Sequence, residues 1–216
     1  MYLLFDLDGT LTEPSEGITN SIKYALQKFG IVENDYKKLC LCIGPPLIDS
    51  FENFWSFDRP TAEKALVYYR EYFATKGIFE NAVYEGVAEL LAELRQSGHK
   101  IILATSKPEE YAAQILEHFG LLQYFTAVVG NTLQEARPKK EDVLYYIKEL
   151  YPDLGTDNTL MIGDRKYDVE GAKALGLRCI GVLYGHGSAE ELALAGAWRT
   201  AKTVTDIKEI IEEADL

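Results

Sequence analysis

The chain has 216 residues, 47 % of them hydrophobic, enough for one large domain or a core domain carrying a small insert. A formal charge of −12 argues against broad binding to a nucleic-acid backbone, though a local lysine and a metal ion can still attract a small anion into one cleft. The chain shows no secretory leader pattern and no apolar run of transmembrane length. Its three cysteines, Cys40, Cys42 and Cys179, have no framework spacing. Together these features predict a cytoplasmic protein with structural thiols.

The first element is the apolar run Tyr2-Leu3-Leu4-Phe5, which suits a strand buried on both faces of a parallel sheet. It breaks into Asp6-Leu7-Asp8-Gly9-Thr10. Alternation along an extended chain points both carboxylates the same way, and Gly9 permits a tight turn. Ser15 or Thr12 can cap a helix to about Phe29, with Ile18, Ile22, Ala25 and Leu26 at helical spacing and Gly30 as its stop. A short helix over 35–41, the stiff loop Ile43-Gly44-Pro45-Pro46-Leu47 and helices over 47–55 and 61–75 follow. With no strand pattern between about 15 and 80, this block is expected to form a helical subdomain inserted after the first strand.

From Tyr84 onward strands and helices alternate. A helix to Ser97 precedes a strand over 100–105 that ends in Thr105-Ser106-Lys107-Pro108, with a helix to His118 after it. Strands are predicted over 126–129, 159–162 and 178–183. A helix that follows Arg137-Pro138-Lys139-Lys140 and runs to about Tyr151, and another over 169–175, lie between them. Ser188 caps a further helix after the loop Tyr184-Gly185-His186-Gly187, and 207–214 forms the last. The alternation predicts an α/β, Rossmann-like, doubly wound parallel sheet.

In such sheets ligands sit beyond the carboxyl ends of the strands. Reading those ends in turn gives Asp6 and Asp8, then Thr105 and Ser106, then Arg137, Lys139 and Lys140, then Asp164 and Asp168. An ionised carboxylate can attack phosphorus without a base, a hydroxyl and an amide can hold phosphate oxygens, and an all-carboxylate set favours Mg²⁺ over zinc. The scattered His99, His118 and His186 read as surface or capping residues.

Asp-x-Asp-Gly-Thr, a strand-final Thr, a later Lys and Gly-Asp-x-x-x-Asp, in this order, resemble the haloacid dehalogenase superfamily over nearly the whole chain. Gly-Pro-Pro-Leu, Tyr-Glu-Gly-Val and Thr-Ser-Lys-Pro resemble its phosphoglycolate phosphatase-like branch, and the Gly-Pro-Pro loop, Arg137 and the Tyr-Gly-His-Gly loop its 5′-nucleotidase-like subgroup. The resemblance implies a core domain over 1–14 and 82–216 and a helical cap domain over 15–81. It implies a Mg²⁺-dependent phosphatase of a small-molecule phosphate ester, phosphoglycolate-like or a nucleoside 5′-monophosphate. A monomer or weak homodimer, with no membrane or nucleic-acid polymer as partner, is expected.

Residue by residue, the resemblance makes Asp6 the nucleophile that forms an aspartyl-phosphate and Asp8 the acid and base, with its backbone carbonyl on the metal. Thr105 holds the phosphoryl group. Asp6 and Asp164 complete the metal site, with Asp168 on the metal directly or through water, and Gly9, Thr10, Gly44, Pro45 and Ser106 contact substrate. Many relatives carry Lys-Pro where this chain reads Arg137-Pro138; Arg137 is one source of the clamping charge and Lys140 the favoured one, with Lys139 in solvent. A phosphomutase or dehalogenase on the same scaffold and a non-enzymatic phospho-accepting module are the alternatives. The intact pair Asp6 and Asp8 favours turnover.

Overall fold

The computed structural model describes residues 1–214. It opens with β1 (Tyr2–Phe5), all four residues buried. The chain then turns tightly on the Leu7 carbonyl, which accepts from the N–H groups of Thr10, Leu11 and Thr12. The short strand β2 (Thr12–Glu13) leads out of the turn.

Contacts divide the chain into two compact units, Met1–Thr12 together with the chain from Val83 onward, and Glu13–Ala82. The second unit holds α1 (Ser15–Gln27), α2 (Tyr36–Cys40), α3 (Leu47–Trp55) and α4 (Arg59–Tyr72). Its core is made of Ile18, Ile22, Leu26, Phe51, Leu66 and Tyr69. Neither Ser15 nor Thr12 caps α1: Pro14 occupies the cap position, and the Glu13 carboxylate accepts from the Ser15 N–H instead. Asp35 and Asp58 cap α2 and α4 through the N–H groups of Lys38 and Thr61. The helix expected to reach residue 75 stops at Tyr72 and widens into a π-helical turn, Phe73–Gly77, closed by the Ile78 N–H on the Phe73 carbonyl. Gly44 and Pro45 lie in this unit, in the loop between α2 and α3, where Gly44 takes a φ of 105°.

After β3 (Ala82–Val83) the first unit resumes. It continues through α5 (Val87–Gln96), β4 (Lys100–Pro108), α6 (Glu109–His118), β5 (Ala127–Asn131), α7 (Lys140–Leu150), β6 (Thr159–Gly163) and α8 (Lys166–Ala174). It closes with β7 (Arg178–Val182), α9 (Ala189–Ala195), β8 (Arg199–Ala201) and α10 (Val204–Glu212). One parallel six-stranded sheet results, in the order β5-β4-β1-β6-β7-β8. Leu4, Ile102, Val129 and Met161 pack against Val143 and Ile147 of α7 and Val169 of α8. Alternation sends the equally buried Leu3, Phe5, Ile101 and Leu103 to the opposite face.

The sheet unit departs from the sequence expectations in three further places. The strand β8 was not expected; it is a three-residue edge, Arg-Thr-Ala, with two residues exposed. The helix expected to begin at Val169 begins at Lys166, because Asp168 accepts from the Arg165 N–H and closes a capping box. The strand expected to end at Thr105 runs on to Pro108 through a bulge: between the pairs Ala104–Val129 and Pro108–Asn131, three residues of β4 stand against one of β5.

The free thiols of Cys42 and Cys179 are buried and Cys40 is half-buried. Burial pushes the Cys42 thiol up to about 12, so it stays protonated and inert at neutral pH. Among the described residues no helix is long and apolar enough to cross a membrane.

Candidate active site

The chain moves outward from β1 in both directions, to β4 and β5 on one side and to β6, β7 and β8 on the other. The switch point therefore lies at the carboxyl end of β1, the place where open α/β sheets bind ligands. Asp6 follows β1 there, Thr105 and Lys107 lie in the bulge of β4, and Asp164 follows β6.

Ligand oxygens of Asp6, Asp164 and Asp168 lie within 4.8 Å of one another. Asp6 is 8 % exposed, Asp164 0 % and Asp168 1 %. Lys140, from the first turn of α7, reaches in beneath them. Its Nζ lies 2.7 Å from Asp6 Oδ1 and 2.8 Å from Asp168 Oδ1, and it donates to the Ala104 carbonyl at 2.6 Å. Three carboxylates against one ammonium leave two negative charges when all are ionised. Burial pushes the Asp168 carboxyl up to about 6, against the pull of Lys140. Burial, with Asp168 and Asp6 beside it, pushes Asp164 well above the usual carboxylate range.

A divalent cation matches that deficit. Asp164 Oδ1 is buried without a hydrogen-bond partner among the described residues, an uncompensated acceptor that a cation would satisfy. The donor set is all oxygen, which suits Mg²⁺. Both oxygens of Asp168 are already engaged, by the Arg165 N–H and by Lys140.

Asp8 stands apart from that cluster and pairs with Lys107, Nζ to Oδ2, at 2.9 Å. Burial pushes its carboxyl above the ordinary value, opposed by Lys107. A raised carboxyl is suited to hold a proton for a leaving group. Sequence reasoning did not assign Lys107 to the site. The signal was present: in an extended chain Lys107 shares a face with Thr105, two residues before it. Thr105 is 2 % exposed, and its Oγ1 accepts from the Lys107 N–H at 3.2 Å. Ser106 is half-buried in the same bulge.

Gly9 and Thr10 shape the turn rather than offer amides. The Gly9 N–H donates to the Thr12 carbonyl at 2.7 Å and the Thr10 N–H to Leu7 at 3.2 Å, so neither is left for a ligand. Gly9 has a φ of 84°, and a Cβ there would overlap the Asp164 carboxylate, so only glycine fits. His186, expected from the sequence at the surface or at a cap, is half-buried. The His186 N–H donates to Asp164 Oδ2 at 2.7 Å, and the imidazole lies close enough to Asp8 to favour its ionised form.

Of the three basic candidates after β5, the structure brings Lys140 to Asp6. Arg137 instead donates through Nε to the Gly130 carbonyl at 2.8 Å, pairs with Glu109 at 3.3 Å and lies 4.2 Å over the Tyr146 ring. Its planar fork is satisfied by a carbonyl and a carboxylate side by side, which a lysine could not match. Lys139 is exposed and pairs with Glu141 at 3.7 Å. Replacing Lys140 leaves buried carboxylates facing each other without a counter-charge. Lys140→Met is expected to lower metal-free stability by about 3–5 kcal/mol, read from urea unfolding monitored by circular dichroism. A change below about 1 kcal/mol, the range of an exposed pair, would contradict the buried geometry.

A family model described as haloacid dehalogenase-like hydrolase matches residues 3–182. The chain belongs to that family. It is 40 % identical over 210 residues to a 5′-nucleotidase of Pseudomonas aeruginosa, covering 97 % of this chain and 95 % of that one. It is 35 % identical over 189 residues to the tyrosine-protein kinase PtkA of Mycobacterium tuberculosis, covering 87 % of this chain and 64 % of that one. A crystal structure of a predicted phosphatase from Clostridium acetobutylicum superposes with a TM-score of 0.95 at 48 % identity, covering 99 % and 98 % of the two chains. In this haloacid dehalogenase-like hydrolase the matched span contains Asp6, Thr105, Lys140 and Asp164.

Proposed function

We propose that the protein is a Mg²⁺-dependent phosphomonoesterase acting on a small-molecule phosphate ester, with a nucleoside 5′-monophosphate as the first candidate. The observation that carries this reading is the buried set of Asp6, Asp164 and Asp168 around Lys140, with Asp8 held separately by Lys107. The likeness to a 5′-nucleotidase supports the substrate class.

Asp6, Asp164 and the Asp8 backbone carbonyl would hold Mg²⁺, which when bound offsets the repulsion between carboxylate and phosphate oxygens and polarises the phosphoryl group. Asp6 attacks phosphorus and carries the phosphoryl group as an aspartyl-phosphate. Asp8 gives its proton to the leaving oxygen, then takes one from the water that hydrolyses the acyl phosphate. The Thr105 hydroxyl and the Ser106 N–H hold phosphoryl oxygens, and Lys140 balances the charge on Asp6 as the dianion approaches. Gly44 and Pro45, in the helical unit, are proposed to contact the part of the substrate beyond the phosphate, the role that the family resemblance gives a cap.

Phosphate release from p-nitrophenyl phosphate with Mg²⁺ and with EDTA tests the reaction. A panel of nucleoside 5′-monophosphates, phosphoglycolate, sugar phosphates and pyrophosphate tests the substrate. Release abolished by EDTA and restored by Mg²⁺ is expected, with the highest kcat/KM on a nucleoside 5′-monophosphate. Equal release in EDTA removes the metal from the reading, and a preference for phosphoglycolate changes the substrate but not the chemistry.

Lys107 is expected to act through Asp8. Lys107→Met is expected to lower kcat by about tenfold to a hundredfold, part of the general-acid contribution, with KM little changed. Steady-state kinetics of that variant beside Lys107→Arg check this; a rise in KM alone would place Lys107 on the substrate instead.

A further inference from the structure

The loop after β7, Tyr184-Gly185-His186-Gly187, belongs to none of the strand-end motifs that identify the family. The geometry points to this loop as the positioning segment of the cation site, acting through the backbone amide of His186 on Asp164. The inference rests on the phosphomonoesterase reading and deepens it.

Asp164 is wholly buried, and its two oxygens have different surroundings. Oδ2 accepts the His186 N–H at 2.7 Å, whereas Oδ1 has no hydrogen-bond partner among the described residues. One amide therefore fixes the plane of the carboxylate and leaves the other oxygen as the ligand. Outer hydrogen bonds of this kind orient a metal ligand before the metal arrives.

The approach needed for that bond restricts the loop's composition. A Cβ on Gly185 would overlap the Gly9 carbonyl and sit 2.6 Å from Asp164 Oδ2. A Cβ on Gly187 would overlap the Asp164 carbonyl oxygen. Either glycine replaced by a larger residue drives the loop off Asp164. The loop has a second anchor: the Tyr184 hydroxyl donates to the Thr10 carbonyl at 2.9 Å, and the Tyr184 ring meets Tyr84 edge-on with centroids 4.9 Å apart. The same short segment thus ties the turn that follows Asp6 and Asp8 to the end of β6 that carries Asp164. β7 lies beside β6 in the sheet, so a chain leaving β7 reaches Asp164 without a long excursion.

The experiment is Mn²⁺ binding by isothermal titration calorimetry on the purified chain without substrate. It compares wild type, Asp164→Asn, His186→Ala, His186→Pro and Tyr184→Phe, each checked by near-ultraviolet circular dichroism. His186→Ala keeps the amide and is expected to bind Mn²⁺ as wild type does. His186→Pro removes the N–H and is expected to weaken binding by about tenfold to a hundredfold. Tyr184→Phe keeps the ring against Tyr84 and loses the anchor on Thr10; it is expected to weaken binding less than His186→Pro but measurably. It decides the matter if the proline variant does not fold. Wild-type affinity in both His186→Pro and Tyr184→Phe, or an equal loss in His186→Ala and His186→Pro, would overturn the inference. Wild type that fails to bind Mn²⁺, or Asp164→Asn that binds it equally well, would instead overturn the metal site on which the proposed function stands.

Discussion

Asp6→Asn is expected to abolish phosphate release and leave the fold intact. The substitution keeps the size and shape of the side chain, so β1 and the turn after it need not move. It changes two things at the reacting position. The amide nitrogen and oxygen are far poorer nucleophiles than a carboxylate, and the negative charge that Lys140 Nζ faces at 2.7 Å disappears. The loss should exceed about a thousandfold in kcat, the size expected when the bond-forming group itself is removed. Asp8→Asn should cost less, about a hundredfold to ten-thousandfold, the range of a general acid. A substrate with a good leaving group, such as p-nitrophenyl phosphate, should show the smaller end of that range. Initial rates with each variant, beside near-ultraviolet circular dichroism, check both statements. Turnover in Asp6→Asn within tenfold of wild type would remove the nucleophile.

The second large effect is on stability. Mg²⁺ or Mn²⁺ at about one hundred times its dissociation constant is expected to stabilise the folded chain by about 2.7 kcal/mol. For a domain of this size that corresponds to a rise in melting temperature of about 5–10 °C, at about 2–4 °C per kcal/mol. Asp164→Asn should lose that response. The metal-free variant should also melt above metal-free wild type, because it removes a carboxylate that burial and the neighbouring Asp168 and Asp6 disfavour. On the proposed reading the buried carboxylates cost the metal-free protein stability, and a bound cation would offset that cost. Differential scanning fluorimetry in EDTA and in excess metal measures both shifts. A metal response in Asp164→Asn equal to that of wild type would place the cation elsewhere.

The parts of the molecule legible in the sequence are those where one physical rule acts alone. Tyr2-Leu3-Leu4-Phe5 is apolar at every position because β1 has a neighbour on both edges and helices over both faces, and the sheet bears this out. The α/β class followed from alternation of elements after Tyr84. Asp6, Thr105 and Asp164 could be gathered on paper because each directly follows, or ends, a recognisable strand.

What was not legible depends on contacts between distant segments. β8 has too few residues, and too many exposed ones, to show a period. The bulge of β4 is a mismatch against β5, so no pattern within β4 alone reports it; alternation with Thr105 marks the face of Lys107 only once the strand is carried past Thr105 to Pro108. Arg137 looked like a displaced clamp because its partners, Glu109, Gly130 and Tyr146, come from three other places in the chain. His186 acts through its backbone amide, and a backbone role leaves no signature in side-chain chemistry.

The most direct measurement of the account is chemical trapping at Asp6. Wild-type protein turning over p-nitrophenyl phosphate with Mg²⁺ is quenched with borohydride, which reduces an acyl phosphate to an alcohol, and the N-terminal peptide is sequenced by mass spectrometry. The account predicts homoserine at position 6, formed only when substrate and metal are both present, and aspartate unchanged at position 8. Homoserine at another position, or none at position 6 in a preparation that is releasing phosphate, would contradict it.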